Sequence, residues 1–422
     1  MICLRSLRRR LPQMKNIFKK KILFLLLCAV GCLVYVWMTE DQVSFGPVLN
    51  HKWTLVSGSA DLYVFSAYFT GRDHLVRIVS VGPTLSKGRV VCSYYFLNDV
   101  TDKVEAGEED VSGTIHQMRD HHGMTFNTLE ITCPLKKGSY PHFIGLSATG
   151  KPSNYLKINY PPTRSFKAKF TVCIPPIHSN FSHTTEVVQT LEFDQMLGAS
   201  DFTIYYTSAS PEVDAVLRMY RDVGVVKVVP WFIPDVDVHY HGQIASVRDC
   251  FYRNMHTSDY IVFKDLDEIL LPYKHRTWQQ LLDNILERHS RAGAFIFRNS
   301  FIHKLGPDVT DSMKSADIQI AKTFGLYTLL KRQRQTEIWK YNLRAKFIVN
   351  PLRVHNVEIH EVKDIMEGYT REVVDEPLGL LFHYKQFTDA KIKTVNDPAA
   401  ARYREELINR VKNTYHVLNT QY

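Results

Sequence analysis

Two aspartates, Asp265 and Asp267, follow a mostly apolar run in the segment DYIVFKDLDEILLP, residues 259–272. Side chains of an extended segment alternate between faces, so both carboxylates are predicted to point the same way while Leu266 points the opposite way. Two like charges at one site are costly unless a cation binds them, and hard oxygen ligands suit Mg²⁺ or Mn²⁺. The pattern therefore predicts a divalent-metal site. The alternative is that either aspartate caps the helix predicted in TWQQLLDNILERHS or lies in a solvated turn.

An uncharged apolar segment, ILFLLLCAVGCLVYVWM, follows an N-terminal stretch that has eight Lys and Arg residues and no acidic residue. We expect residues 1–21 to be a cytoplasmic tail, 22–38 a transmembrane signal-anchor and 39–50 a stem. The remainder of the chain is then lumenal, in a type II topology. A cleaved signal peptide is the alternative, but no small-x-small cleavage site follows the apolar segment.

The net charge of +9 belongs largely to this tail, because the other Lys and Arg residues of the 52 nearly balance the 43 acidic residues. No basic stripe with interleaved aromatic residues occurs along the sequence. A nucleic-acid partner is therefore not predicted.

Four cysteines follow the membrane segment, and an oxidising lumen would permit disulfides between them. Sequence order favours Cys92 with Cys133 and Cys173 with Cys250, although three pairings are open and buried free thiols are the alternative. No Cys or His cluster has zinc spacing. Asn180 begins an Asn-Phe-Ser sequon, which predicts an N-glycosylated surface loop.

Two regions of different texture follow the anchor. Residues 51–165 contain strand-like runs such as LYVFSAYF and RVVCSYYFL between Gly, Pro, Asn and Asp, a pattern typical of a small antiparallel β-sandwich. In residues 166–422, strand-like runs alternate with amphipathic stretches, which predicts an α/β domain with a mostly parallel sheet covered by helices. Such sheets bind ligands beyond the carboxyl ends of their strands, where Asp265 and Asp267 lie. This position favours the metal site over the helix cap.

A membrane-anchored α/β domain with a carboxylate pair at a strand end is typical of enzymes that handle a nucleoside diphosphate. A metal there neutralises the phosphates of a leaving UDP or GDP while an acceptor hydroxyl attacks the sugar carbon. The sequence has neither a Gly-x-x-x-x-Gly-Lys-Ser/Thr loop nor Gly-x-Gly-x-x-Gly. Glycosyl transfer is therefore the predicted function. The alternatives are a noncatalytic membrane-anchored glycan-binding protein with a structural cation, and a metal-dependent phosphotransferase or hydrolase.

Six segments occur in order from about residue 170 to residue 387: VCIPPI, LEFDQMLGASDFTIYY, GQIASVRDCFYR, SDYIVFKDLDEIL, KFIVNPLRVHNV and LFHYKQF. Together they resemble glycosyltransferase family 92. The resemblance implies a GT-A fold, a Golgi location, and Mn²⁺ as cofactor with Mg²⁺ as the alternative. It also implies inverting transfer of galactose from UDP-galactose to a terminal galactose or fucose of a glycoprotein or glycolipid, with a β1,4-linkage expected.

The resemblance assigns metal-site roles to three residues. Asp265 and Asp267 match the family's Asp-x-Asp, with Asp265 expected near the ribose or a metal-bound water and Asp267 on the metal. His383, in the segment LFHYK, is the expected third ligand, since neutral imidazole binds Mn²⁺. A buried strand histidine bonded to the backbone is the alternative for His383.

Five further residues are expected to bind the nucleotide sugar. Gln243, Arg248 and Asp249 lie on the helix predicted before the metal strand, and a solvated helix face is the alternative for them. Arg344 and Lys346 are two residues apart in a strand-like run and are expected to face the diphosphate together. Ordinary surface cations are the alternative for this second pair.

An inverting transferase needs a general base on the acceptor side, which is normally a carboxylate. Glu337, Asp308, Asp311 and Glu358 all lie between the metal strand and His383. Glu337 is the predicted base.

Overall fold

The structure is a computed structural model that describes residues 52–422, except for 86–87, 99–102, 120–121, 164–166, 312 and 388–391. The predicted cytoplasmic tail, transmembrane segment and stem lie outside the described residues. Within the described part of the chain, no helix is long and apolar enough to cross a membrane.

Nine strands form the first region of the described chain. They are β1 Thr54–Leu55, β2 Tyr63–Phe69, β3 Leu75–Pro83, β4 Arg89–Asn98, β5 Lys103–Ala106, β6 Val111–Gln117, β7 Phe126–Pro134, β8 Phe143–Ser147 and β9 Tyr155–Asn159. They belong to one sheet in the order β1-β2-β3-β7-β6-β4-β8-β9, with β5 paired to β4. Strand β9 also pairs in parallel with β2, which closes the sheet into a barrel.

The predicted β-sandwich is wrong, because a sandwich has two separate sheets and these strands form one closed sheet. Both architectures alternate inward apolar and outward polar residues along each strand, so the sequence pattern does not distinguish them. The distinguishing feature is the pairing of β2 with β9, which joins residues about ninety positions apart, such as Ala67 and Ile158.

A disulfide between Cys92 and Cys133 joins β4 to β7 inside the barrel, in the pairing that sequence order favours. Strand β6 lies between these two strands and contributes Gly113 beneath the disulfide. A Cβ atom at Gly113 would lie 2.6 Å from the Cys92 sulfur, so a larger residue would collide with the bridge. Glycine is therefore required at position 113, where the disulfide crosses β6.

The second region contains fourteen strands. They are β10 Ala168–Ile177, β11 Asp201–Tyr206, β12 Val226–Pro230, β13 Ser258–Phe263, β14 Glu268–Pro272, β15 Ala292–Phe297, β16 Asn299–His303, β17 Gln333–Gln335, β18 Lys346–Val349, β19 Val354–Asn356, β20 Asp364–Ile365, β21 Thr370–Val373, β22 Gly379–Lys385 and β23 Thr394–Asn396. Its helices are α1 Thr184–Leu197, α2 Pro211–Asp222, α3 Gln243–Asn254, α4 Trp278–Leu286, α5 Ser315–Thr323, α6 Tyr327–Leu330 and α7 Arg404–Gln421, with 3₁₀ turns at His239–His241 and Ala399–Tyr403.

The main sheet of this region has the strand order β12-β11-β10-β13-β18-β15-β21. Strands β12, β11, β10 and β13 run parallel, as predicted. Strand β18 runs antiparallel to both β13 and β15, so the sheet is mixed beyond β13. A second sheet, β14-β22-β16-β17-β23, pairs β14 antiparallel with β22, and β19 and β20 form a separate two-stranded ribbon.

Local sequence signals explain where the first two helices of this region begin and end. Helix α1 ends at Gly198, whose φ of 117° lies in the left-handed region that glycine adopts without strain. Helix α2 begins at Pro211, and the Ser210 side chain accepts a hydrogen bond from the N–H of Val213. Both helices match the amphipathic stretches of the sequence.

The barrel and the α/β region share a core. Trp53 and Phe65 of the barrel pack against Trp231 of the α/β region, with ring centroids 5.1 and 4.6 Å away. All three residues belong to one buried apolar cluster, and residues 50–422 cluster as one compact unit. The predicted boundary near residue 165 falls between β9 and β10. The barrel has an apolar cluster of its own, and the shared cluster joins it to the α/β region.

Candidate functional site

Asp265 and Asp267 lie in a tight turn between β13 and β14. The N–H of Glu268 donates to the Asp265 carbonyl at 3.3 Å, and the N–H of Asp265 donates to the Glu268 carboxylate at 2.8 Å. A turn thus replaces the extended geometry that the sequence predicted, although both aspartates line the same cavity. Thr277 caps α4 by accepting a hydrogen bond from the N–H of Gln280, so the aspartates do not cap this helix.

Helix α1 anchors this turn from the interior. The Thr190 hydroxyl donates to the Leu266 carbonyl at 2.5 Å. Lys264, which precedes the turn, pairs with Asp194 at 2.8 Å, and both of these side chains are fully buried. Two interactions from one helix therefore fix the backbone on which the aspartates are carried.

The cavity has a volume of about 450 Å³ and lies at the carboxyl ends of β10 and β13. This size is in the range of small-molecule sites. The position agrees with the rule that open α/β sheets bind ligands beyond the carboxyl ends of their strands. Besides the aspartates, its polar lining residues include His178, His239, Tyr240, Gln243, Glu268, Arg344, His360, His383 and Lys385.

His383 lies beside the turn because β14 and β22 pair with Glu268 opposite His383. Its Nε2 is 3.3 Å from the Asp267 carboxylate and its Nδ1 is 3.3 Å from the Glu268 carboxylate. The imidazole therefore contacts two carboxylates, which differs from the alternative of a histidine bonded to the backbone. The structure brings His383 and both aspartates to one cavity.

Burial and neighbouring charges compete at these groups. Burial would raise the pKa of Asp267, but the hydrogen bond and charge of His383 outweigh it and lower that pKa. Burial would likewise lower the pKa of His383, but Asp267 and Glu268 raise it. The Asp267–His383 contact therefore favours a carboxylate and an imidazolium, whereas metal binding would require neutral imidazole.

Glu268 is a member of this cluster that the sequence analysis missed. Its side chain is only 1% exposed, and burial raises its pKa to about 7. Glu268 contacts His383 and the N–H of Asp265, so it orients both predicted site residues. The signal was present in the sequence, because Glu268 is the third acidic residue of DLDE.

Lys346 and Gln243 hold Asp265. The Lys346 ammonium on β18 is 3.1 Å from one Asp265 oxygen and 3.7 Å from Glu268. The Gln243 amide, on the first residue of α3, donates to the other Asp265 oxygen at 3.1 Å. The Lys346 side chain is 3% exposed and does not line the cavity, whereas Arg344 does, so the structure does not place these two cations together on the cavity wall.

Arg344 lines the cavity and is exposed. Its φ of 58° lies in the left-handed region that non-glycine residues seldom adopt. The guanidinium lies over the Trp339 ring at 4.9 Å and near the Phe301 ring at 5.7 Å. Lys385, at the end of β22, also lines the cavity and was not singled out in the sequence. Arg344 and Lys385 thus place positive charge on the cavity wall.

The structure does not bring Arg248 and Asp249 of α3 to the cavity. Arg248 pairs with Glu130 of the barrel and contacts the Tyr252 hydroxyl. Asp249 is fully buried and pairs with Arg253 at 2.8 Å. It also accepts hydrogen bonds of 2.5 to 2.6 Å from the hydroxyls of Ser66, Tyr68 and Tyr205. Their helix face packs against the barrel, which explains why neither predicted donor contact occurs at the cavity.

Glu337, the predicted base, is exposed and does not line the carboxylate cavity. Its carboxylate accepts a hydrogen bond from Gln335 at 3.1 Å. The other three candidates, Asp308, Asp311 and Glu358, are also absent from the cavity wall. Glu358 pairs with Lys363 at 2.9 Å.

A complete metal site is not preformed in the described part of the chain, where no group of three or more His, Cys, Asp or Glu side chains could hold a metal ion. Asp265 is bound by Lys346 and Gln243, whereas His383 contacts Asp267 and Glu268. Asp267 and His383 still have the donor chemistry of a hard divalent cation, and their side chains are 31% and 18% exposed. These two residues fit a cation that takes further oxygen ligands from phosphate or water.

A larger cavity of about 930 Å³ lies between the barrel and the α/β region and shares no lining residue with the carboxylate cavity. Its charged groups largely neutralise one another, as in the 2.8 Å pair of Arg77 with Glu130. Its position and charge pairing make it a weaker candidate for the chemistry than the cavity at the strand ends.

Two predictions concern covalent modification outside the cavity. Cys173 of β10 and Cys250 of α3 form a disulfide, the pairing that sequence order favours, and it fixes α3 against the sheet. Asn180 is exposed in the loop between β10 and α1, where a glycan would be accommodated. Glycosylation of Asn180 stays a prediction.

Among curated proteins of Caenorhabditis elegans, the one named beta-1,4-galactosyltransferase galt-1 is 23% identical over 199 residues, covering 43% of this chain and 46% of that protein. Glycosyltransferase family 92 protein F13G3.3 is 19% identical over 337 residues, covering 74% and 61%. The chain spans about half the length of the curated relatives it matches.

Solved structures give weaker likenesses. TarS of S. aureus is 9% identical with a TM-score of 0.28, covering 60% of this chain and 72% of that chain. Glucosyl-3-phosphoglycerate synthase of Mycobacterium tuberculosis, in complex with Mn²⁺, UDP-glucose and phosphoglyceric acid, is 13% identical with a TM-score of 0.29, covering 58% and 80%. TM-scores this low do not establish a shared fold.

The family comparison is decisive. The family model described as Glycosyltransferase family 92 matches residues 168–417, which is more than half of the chain. The match contains the carboxylate turn, the strand that carries His383, and the helix that begins at Gln243. The chain therefore belongs to glycosyltransferase family 92.

Proposed function

We propose that this protein is a metal-dependent glycosyltransferase that transfers a sugar from a nucleoside-diphosphate donor to a hydroxyl group of a glycan. The observation that carries the proposal is the convergence of Asp265, Asp267 and His383 on one cavity at the carboxyl ends of β10 and β13. Family membership supplies the reaction class, and the cavity supplies the place where the reaction would occur.

We assign Asp267 and His383 as ligands of a divalent cation, with Mn²⁺ expected and Mg²⁺ the alternative. When bound, such a cation neutralises the diphosphate of the donor and stabilises the leaving group. Asp265, held by Lys346 and Gln243, is positioned to accept a hydrogen bond from the ribose or a metal-bound water.

The cavity wall supplies further groups for the donor. Arg344 and Lys385 are cations at the cavity and would offset diphosphate charge that the metal leaves uncompensated. Lys346 keeps the carboxylate cluster from carrying its full negative charge, because it contacts both Asp265 and Glu268. These groups are in place before substrate binds, which reduces the reorganisation needed during the reaction.

The finer proposal is a GT-A enzyme that transfers galactose from UDP-galactose with inversion, forming a β1,4-linkage to a terminal galactose or fucose. It is supported by the resemblance to family 92 and by a relative whose name is beta-1,4-galactosyltransferase. Four parallel strands before the carboxylate turn agree with this fold. We place the enzyme in the Golgi lumen behind a type II anchor, supported by the apolar segment at 22–38 and by two disulfides.

The test is a transfer assay with the full-length protein in detergent and Mn²⁺. The donor panel contains UDP-, GDP- and CMP-sugars, and the acceptors end in galactose, fucose or neither. We expect transfer from UDP-galactose to galactose- or fucose-terminated acceptors, and loss of transfer when the metal is chelated. Preference for a GDP- or CMP-sugar would contradict the proposed donor. Acceptor binding without transfer from any donor would favour the noncatalytic glycan-binding alternative.

A further inference from the structure

A cavity of about 530 Å³ adjoins the carboxylate cavity and shares Arg344 and His360 with it. It is called the second cavity below and is not the 930 Å³ cavity described above. One wall is formed by residues 339–344 and another by residues 358–363. The barrel supplies the third wall through Arg119 and His122. The two cavities thus meet at Arg344 and His360.

The lining of this second cavity suits a neutral carbohydrate. Trp339 contributes an aromatic ring that already carries the Arg344 guanidinium at 4.9 Å, and its Nε1 is buried without a hydrogen-bond partner among the described residues. An unpaired buried donor is unfavourable, so a shift of the ring that brings Nε1 to a ligand hydroxyl would be stabilising. Glu358 and Glu361 line the same space and pair with Lys363 at 2.9 and 3.6 Å, and Arg119 lines it as well. Acceptors and donors are therefore both present, and the balanced charge does not select a polyanion.

Barrel contacts fix this wall relative to the carboxylate cavity. Met118, beside Arg119, forms a buried apolar cluster with Ile244 of α3 and Ile359. Ile359 lines the carboxylate cavity, and Ile244 follows Gln243, which contacts Asp265. The barrel residue His122 stacks on His239 with ring centroids 3.7 Å apart, and His239 lines the carboxylate cavity as well. The barrel is therefore packed directly against the residues that form the site.

We propose that the second cavity binds the acceptor glycan, with its terminal sugar toward the carboxylate cavity and the preceding sugar against Trp339. The barrel then supplies part of the acceptor site through Arg119 and His122. This inference rests on the proposed function for the direction of the glycan, since the shared residues Arg344 and His360 lie between the two cavities.

The test compares Michaelis constants for acceptor and donor in the full-length protein. Trp339→Ala should raise the acceptor KM about tenfold, as expected for loss of a stacking contact worth about 1.4 kcal/mol. Arg119→Ala should raise it about threefold. The donor KM should change less than about twofold in both variants. Trp339→Phe keeps the ring, removes the indole N–H and should give an intermediate acceptor KM; it also serves if Trp339→Ala folds poorly.

Arg89→Ala is the matched control, because Arg89 is an exposed barrel arginine that lines none of these cavities. It should leave both Michaelis constants unchanged. An unchanged acceptor KM in Trp339→Ala, Trp339→Phe and Arg119→Ala would overturn the acceptor-site assignment, and so would an equal rise of the donor KM.

A second measurement separates this inference from the proposed function. If the wild-type protein transfers no sugar, the proposed function fails, and binding of galactose- and fucose-terminated disaccharides is measured by saturation-transfer NMR. Weaker binding by Trp339→Ala and Arg119→Ala, but not by Arg89→Ala, supports a glycan site in the second cavity. Equal binding by all four proteins, or no binding by any, contradicts it.

Discussion

Two clusters of charged side chains lie along helix α3 and differ in how their charges are neutralised. At its start, Asp265, Asp267 and Glu268 pair with Lys346 and His383, and the cluster opens into a cavity. Further along, Arg248 and Asp249 are buried between α3 and the barrel and pair with Glu130 and Arg253. The first arrangement leaves carboxylate oxygens available to a ligand, whereas the second uses its charges to hold two regions together.

The two clusters also differ in the pKa of a buried glutamate, which is Glu268 in the candidate site and Glu130 beside Arg248. Burial by itself raises the pKa of each. At Glu268 burial prevails over Lys346, and the pKa rises to about 7. At Glu130 the charges of Arg248 and Arg77 overcome burial, and the pKa falls to about 2. Glu268 has Asp265 and Asp267 as neighbours, which oppose the effect of Lys346 and His383, whereas hydrogen bonds from Arg248 and Tyr252 add to the effect of the arginines at Glu130. Neighbouring carboxylates, more than burial, therefore distinguish the candidate site from the structural cluster of Arg248, Asp249 and Glu130.

The largest expected effect is a loss of protein stability when the structural cluster around Arg248 and Glu130 is broken. Arg248→Met removes the partner of a buried carboxylate, and breaking such a pair costs about 3 to 5 kcal/mol. We expect a loss of about 3 kcal/mol, the lower end of that range, because Arg77 still contacts Glu130 at 2.8 Å. Denaturant unfolding measures the loss. A stability within about 0.5 kcal/mol of wild type, the usual error of additivity, would contradict the structural role of the pair.

Asp267→Asn is the matching change in the candidate site. It removes charge with almost no change in volume, so transfer should fall by about a hundredfold or more, equivalent to about 2.7 kcal/mol. Thermal unfolding without metal should be nearly unchanged, since the Asp267 side chain is 31% exposed. High Mn²⁺ should partly restore transfer. Asp110→Asn, an exposed barrel residue, is the control, and near-normal transfer by Asp267→Asn at low Mn²⁺ would count against the metal site.

Acid should act on the structural cluster through Glu130. Its folded pKa of about 2 lies below the ordinary value of 4.5, so the native state holds fewer protons. The stability that Glu130 contributes is complete well above pH 4.5 and is lost as the pH falls toward 2. Between about pH 6 and pH 3 this loss is about 2 kcal/mol. The difference in stability between wild type and Glu130→Gln should therefore shrink by this amount between about pH 6 and pH 3. A difference that does not change with pH would contradict the low pKa.

The smallest expected effect separates the aspartates from helix capping. Thr277→Ala removes the side-chain cap of α4 and should cost about 1 kcal/mol of stability with transfer nearly intact. Thermal unfolding and the transfer assay together measure this. If Asp265→Asn reproduced the stability loss of Thr277→Ala without affecting transfer, the distinction between cap and site would fail.

Local patterns predicted much of the site. The apolar run before DLDE became β13, and Asp265, Asp267, Gln243 and His383 line one cavity at its end. The helices predicted after β10, β11 and β12 form α1, α2 and α3. These features depend on spacing within short segments, which is why a single sequence contains the information.

Local sequence patterns could not predict contacts between distant segments of the chain. Arg248 and Asp249 were predicted on the donor side because their helix leads to the metal strand, but its opposite face meets the barrel through Glu130, Ser66 and Tyr68. Closure of the barrel depends on the pairing of β2 with β9. Neither contact has a signature in the spacing of neighbouring residues, so both require the folded chain.

The central claim is that a divalent cation and a nucleoside diphosphate bind at Asp267 and His383. Calorimetric titration of UDP into the wild-type protein, Asp267→Asn and Arg248→Met, with and without Mn²⁺, tests it most directly. We predict Mn²⁺-dependent UDP binding by wild type, retention of that binding by folded Arg248→Met, and its loss in Asp267→Asn. Wild-type UDP affinity in Asp267→Asn, or UDP binding that does not depend on Mn²⁺, would contradict the claim.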